Sequence, residues 1–226
     1  MKHHHDHHNY PIKNRSFVPA LNAALGVALD GGFSHILFLS LETGLPAAAF
    51  RRLAAHFDEN EDLVVGAALE GHRFRAGLQP LNGCTSPWNT CALWSVPKLA
   101  RTGFLAVSDG LPGDRGVAGI EEVAAIAVAQ HLRMPPAHGL GGFLSRWFAG
   151  GRGGGGVRAK LVSLRGHVAW DVVWDDPARQ AWHAKKMESK VQRAEAQLAA
   201  LGLGGPGRGA VWHVEEDDDD DAGKAK

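Results

Sequence analysis

Two acidic positions have the type and setting to do chemistry. The first is Glu42, in Ser40-Leu41-Glu42-Thr43. It follows the apolar run Ile36-Leu37-Phe38-Leu39, which reads as a buried parallel strand. In open α/β sheets ligands bind outside the carboxyl ends of the strands. A carboxylate on that edge suits a Mg²⁺ or Mn²⁺ ion bridging phosphate oxygens. Spacing alone favours a solvent-exposed turn glutamate. The second position is Glu121-Glu122, at a helix start after a glycine-rich loop. The helix dipole by itself favours carboxylates in a first turn. On a cleft wall, one of the pair would be a general base. Adjacent helical residues do not share a face, so only one of them faces a substrate.

The remaining reactive side chains point to less. His3, His4, His5, His7 and His8 surround Asp6; such a cluster holds transition metals weakly or is simply a tag-like start. Cys84 and Cys91 have no second pair, so they read as buried thiols and not as a zinc site or disulfide framework. There is no G-x-S-x-G elbow, no Walker loop and no dinucleotide fingerprint set between a strand and a helix.

These acids need elements to hold them. Pro19 opens a helix whose Leu21, Leu25 and Leu29 make one apolar face, ended by Gly31-Gly32. Pro46 opens another, with Phe50, Leu53 and Phe57 on one side. Leu63 to Leu69 and Thr90 to Ser95 read as strands, with a loop from Asn82 to Asn89 between them. Pro97 to Arg101 suggests a short helix, and Ile120 to Leu132 a longer alanine-rich one. Val168 to Trp174 alternates like a strand. Asp176 then caps a helix whose Ala184, Met187, Val191, Ala194, Leu198 and Leu201 dock it on the body. Strands alternating with helices predict an α/β layer fold.

The 226 residues suffice for one domain, and 45% apolar content supports a core. Glycine, at 29 residues, is about twice its usual share. Nine of these lie in 139–156, with Arg146, Trp147, Phe148 and Arg152 among them, so that stretch reads as a flexible loop. The expected division is a His-rich disordered start at 1–15, one α/β domain at 16–203, and a disordered acidic tail at 204–226. The net charge of zero conceals asymmetry. Residues 10–129 hold 9 basic and 11 acidic groups, 130–214 hold 12 and 5, and 215–226 hold 2 and 7. A basic third of this kind suits an anionic ligand or is a solvated surface balanced by the tail. No apolar run approaches the roughly 20 residues of a membrane span, and nothing at the start reads as a signal peptide, so the expected location is cytoplasmic.

In LNAALGVALDGGFSHILFLSLETGLPAAAF, in GCTSPWNTCALWSVPKLARTGFL, in Gly119-Ile120-Glu121-Glu122-Val123 and in HVAWDVVWDDPARQAWHAKKMESK, the chain resembles a GT-A type glycosyltransferase close to family 2. The likeness runs over about residues 15–200. It implies an open, mostly parallel sheet with flanking helices, lacking an N-terminal part that would bind the nucleotide base. It also implies inverting transfer of a sugar from a nucleotide-sugar donor to an acceptor hydroxyl, on a saccharide or another molecule. Asn22 stands at the helix asparagine of the family, and Ser40-Leu41-Glu42 stands where the D-x-D acids belong. Only Glu42 is then left as a metal ligand for Mn²⁺ or Mg²⁺. Glu122 or Glu121 takes the position of the catalytic base. The resemblance also places Arg146 and Arg152 on the donor diphosphate, His167 and Trp170 late in the site, and Trp88 against a sugar ring. Two other classes stay open. One is an inactive GT-A-like binding or scaffold protein, which Ser40 and the missing part favour. The other is a nucleic-acid-binding protein using Arg146, Arg152, Arg158, Lys160 and Arg165 with Trp147 and Phe148. The acidic tail argues against it.

Overall fold

The computed structural model describes residues 16–132, 157–164, 168–170, 176–205, 207 and 209–216, with backbone alone at 115, 170, 179, 182 and 183. Helix α1 spans Val18–Asp30 with a proline in its first turn. Its free N-terminal amides are met from a distance: Asp109 Oδ1 accepts from Phe17 N and Val18 N at 3.0 and 3.2 Å. Strand β1 (His35–Leu39) leads into the two-residue β2 (Thr43–Gly44), then α2 (Ala47–Ala55) and β3 (Asp62–Ala67). Strands β4 (Gly77–Pro80) and β5 (Cys91–Ser95) follow, then α3 (Val96–Leu99), two 3-10 turns and α4 (Glu121–Leu132). The described residues resume with β6 (Arg158–Ser163) and β7 (Ala169–Trp170). Helices α5 (Pro177–Glu188) and α6 (Lys190–Ala200) and strand β8 (Ala210–Glu215) complete the fold.

Six strands form an open sheet in the order β1-β5-β3-β6-β8-β4. Strands β3, β6 and β8 pair in parallel, while β5 is antiparallel to both β1 and β3, and β4 is antiparallel to β8. Strands β1, β3, β6 and β8 therefore point one way and only β4 and β5 the other. The predicted open, mostly parallel α/β arrangement is what forms. Neighbouring residues of a strand face opposite sides, so Val64 and Val65, and Leu161 and Val162, feed two separate cores. One holds Leu25, Trp94, Leu99, Val123, Ile126 and Leu198, beneath α1, α3, α4 and α6. The other holds Leu53, Ala67, Trp88 and Leu164, beneath α2.

Four expectations are corrected. First, β1 is not a buried parallel strand. It lies at the sheet edge, antiparallel to β5, with Leu39 43% exposed. A short apolar run does not encode its partner's direction. Second, Leu29 is exposed, and α1 buries Val18, Leu25 and Ala28 instead. Third, the C-terminal helix is two, α5 and α6, meeting at Ser189. Fourth, part of the supposed tail is ordered. Strand β8 lies between β6 and β4, with Val211 fully buried. Both cysteines are free and buried, and burial pushes the Cys91 thiol up to about 11. Among the described residues, no helix is long and apolar enough to cross a membrane.

Candidate active site

The carboxyl ends of β1, β3 and β6 lie on the sheet edge where β5 begins, because β5 runs antiparallel to β1 and β3. The link is direct: Ser40 N donates to Thr90 O at 2.9 Å, just after β1 ends and before β5 starts. A cleft of about 270 Å³ opens on that edge. Phe17, Trp88, Asn89, Thr90, Glu121 and Glu122 line it, and residues 118–120 and the α5–α6 cations Lys186, Lys190 and Arg193 close it.

The acidic pair reaches this cleft through a strained turn. Gly119 has φ +92° and Ile120, a buried β-branched residue, has φ +57°. That conformation is rare for such a residue and persists only where its surroundings enforce it. Here α6 enforces it. Gln197 Nε2 donates to Val117 O and Gly119 O at 2.6 and 2.7 Å, and Arg193 Nη1 donates to Ala118 O at 2.5 Å. Ser108 Oγ donates in turn to Gln197 Oε1 at 3.2 Å. The guanidinium of Arg193 is otherwise spent on Lys186 O (2.8 Å) and Ser189 Oγ (3.1 Å). Arg193 thus acts as a strut for this turn.

Glu122 is 3% exposed. Burial, followed by the charge of Glu121, pushes its carboxyl up to about 7. Lys190 and Arg193 act in the opposite direction but do not cancel the rise. Burial also raises Glu121, which is less enclosed. Across the cleft, burial lowers Lys190 to about 8. A carboxyl poised near neutrality in a cleft is suited to accept a proton.

The other predicted site residues fare differently. Trp88 is 2% exposed and its ring surface is taken. The His72 ring stacks on it at 3.6 Å, Lys190 Nζ stands 3.0 Å from its centroid, and its Nε1 donates to Gly83 O at 2.8 Å. It therefore has no face to offer a sugar and serves as the platform for Lys190. Asn22 is likewise a clamp: Nδ2 donates to Phe104 O at 2.9 Å and Oδ1 accepts from Phe104 N at 2.8 Å, leaving its amide occupied without any nucleotide. Glu42 lies exposed in the turn after β1 and is absent from the cleft wall. Backbone pairing sets residue 170 beside Thr43, one residue from Glu42. Arg146, Arg152 and His167, and the side chain of Trp170, lie outside the described residues.

The donor set does not fit a protein-held divalent ion. The Ser40 hydroxyl is hydrogen-bonded to Thr43 Oγ1 at 2.9 Å, and among the described residues no three His, Cys, Asp or Glu side chains converge. Mg²⁺ asks for near-octahedral oxygen ligation, to which Glu42 brings one carboxylate.

Lys190, Arg193 and Gln197 were not legible as site residues. Their spacing of three and four was the available signal, but lysine and arginine on a helix ordinarily read as its solvated face. Comparison with known proteins finds no family model, no curated protein and no solved structure that matches the chain.

Proposed function

We propose that the protein is a glycosyltransferase-like enzyme that moves a sugar from a nucleotide-sugar donor to an acceptor hydroxyl with inversion. The observation that carries this reading is Glu122: a buried carboxyl held near neutrality, at the start of α4, in a cleft at the carboxyl edge of the sheet. The order of motifs in the sequence supports the sugar-nucleotide chemistry, and the cleft supports the acid–base part of it.

In this mechanism Glu122 in its ionised form accepts the proton of the acceptor hydroxyl. The oxygen attacks the anomeric carbon. The bond from that carbon to the diphosphate oxygen breaks on the opposite face and its electron pair leaves with the diphosphate, so configuration inverts. Gln197 and Arg193 hold the 117–119 turn and so fix the position of the base.

A transfer assay over a panel of nucleotide sugars, with and without Mn²⁺, tests the reading. Glu122→Gln is expected to lower kcat by about 10²–10⁴-fold with the donor still bound. Turnover equal to wild type would remove Glu122 from the base role. A second reading, a catalytically silent binding module, is favoured by Ser40 and its bond to Thr43. It predicts donor binding by calorimetry with no transfer in either protein.

A further inference from the structure

We propose that Lys190, with Lys186 at the mouth of the cleft, forms an anion subsite beside Glu122 for a phosphate or carboxylate carried by the acceptor. The assignment to an acceptor rests on the transferase reading above; the anion site itself does not.

Lys190 is 9% exposed, yet among the described residues its ammonium meets no hydrogen-bond acceptor. The Trp88 ring centroid stands 3.0 Å from it, and Glu122 acts on it through charge. Cation–π attraction offsets part of the desolvation of an ammonium but leaves its three N–H donors unmet. Position 190 is not free to move away. Its backbone presses on the loop opposite, so that a Cβ on Gly83 would come 2.4 Å from Lys190 O. The charge is therefore built in, facing a cleft that it lines together with Glu121 and Glu122. Glu122 is only partly ionised near pH 7 and so supplies only part of a counter-charge. Arg193 spends one donor of each of its three nitrogens on backbone and Ser189, whereas the Lys190 ammonium still has its donors to meet a ligand. A phosphate or carboxylate oxygen supplies the missing acceptors and the missing charge.

The position of the base says which substrate carries that anion. In an inverting displacement the base and the leaving group lie on opposite faces of the sugar ring. A cation sharing a small cleft with the base is therefore on the acceptor side, away from the departing diphosphate.

The test is calorimetric titration of inorganic phosphate into the full chain, with no sugar nucleotide present. Wild type is expected to bind, Lys190→Met to bind about tenfold more weakly or worse, and Lys190→Arg to keep most of the affinity. Lys190→Met binding phosphate as well as wild type overturns the site. Should Lys190→Met fail to melt cooperatively, Lys186→Met at its exposed position decides, with about threefold weakening expected and unchanged affinity overturning the two-lysine site. A nucleoside diphosphate added at saturation should leave phosphate binding intact. Competitive displacement would place the anion on the donor and overturn the acceptor assignment. Phosphate binding without transfer to any acceptor would count against the transferase reading and leave the anion site standing.

Discussion

Glu122 carries two pH dependences of opposite direction. As a base it must be ionised, so transfer should rise with pH through about 7 and level above it. A flat profile from pH 5 to 8 would exclude it as the titrating base. Stability runs the other way. The carboxyl is raised from its ordinary 4.5 to about 7 in the folded chain, so the folded state binds a proton that the unfolded state has already lost. Its contribution is complete below about pH 4.5 and is lost as pH climbs to about 7. Glu122→Gln keeps the shape and never ionises. It should match wild type near pH 4 and exceed it above pH 7 by on the order of 1–3 kcal/mol, read from urea midpoints at both pH values. The residue that loses activity on substitution is thus expected to gain stability, the trade-off of a strained site. The pair itself was legible, because two glutamates opening a helix after a glycine-rich loop form a local pattern. Which one is buried was not, because that depends on α6 arriving from about 70 residues further along.

At the scale of elements, α6 acts as a brace for the turn that leads into α4. Gln197 is fully buried and bonds to three groups, Val117 O, Gly119 O and Ser108 Oγ. Gln197→Leu fills the same space but leaves those partners unmet. It should cost about 2–4 kcal/mol in denaturant, since each buried orphan costs about 1–3. If the brace also sets the base, kcat should fall further than the loss of folded protein explains. A variant with wild-type midpoint and wild-type kcat would remove α6 from this role. The sequence showed α6 only as an apolar stripe, because hydrophobic spacing marks where a helix docks and is blind to the polar side chains the docked face also buries. Strand β8 escaped for a related reason. Ala210–Glu215 sits between a glycine-rich stretch and a run of aspartates, a local composition that reads as disordered. It becomes a strand only by pairing with β6 and β4, which lie far from it in the chain. The direction of β1 was hidden in the same way, since β5 decides it across some 50 residues.

At the scale of the molecule, the first and second halves of the chain meet where β3 and β6 run in parallel, and a buried ionic cluster fixes that seam. Asp62, fully buried at the start of β3, accepts from Arg158 Nε at 2.5 Å and pairs with Lys160 Nζ at 2.7 Å, both on β6. Lys160 Nζ also donates to His56 O at 2.6 Å, and Asp58 N donates to Asp62 Oδ2 at 2.8 Å, so all parts of the cluster have partners. Such a cluster adds little over a well-packed apolar substitute, but halving it strands the remaining charges. Asp62→Ala leaves the Lys160 ammonium with only the His56 carbonyl, while Arg158 keeps Glu61 at 2.7 Å, and should lower the unfolding free energy by about 3 kcal/mol. Because Asp62 and Lys160 are largely shielded from solvent, raising salt from 0.1 to about 1 M should recover little of it. Adding Lys160→Met should restore much of the loss, as the stranded charge goes with it. The three proteins compared by urea denaturation decide the matter. A loss below about 1 kcal/mol in Asp62→Ala, or no recovery in the double variant, would mean that the seam is held by the apolar faces of β3 and β6 alone.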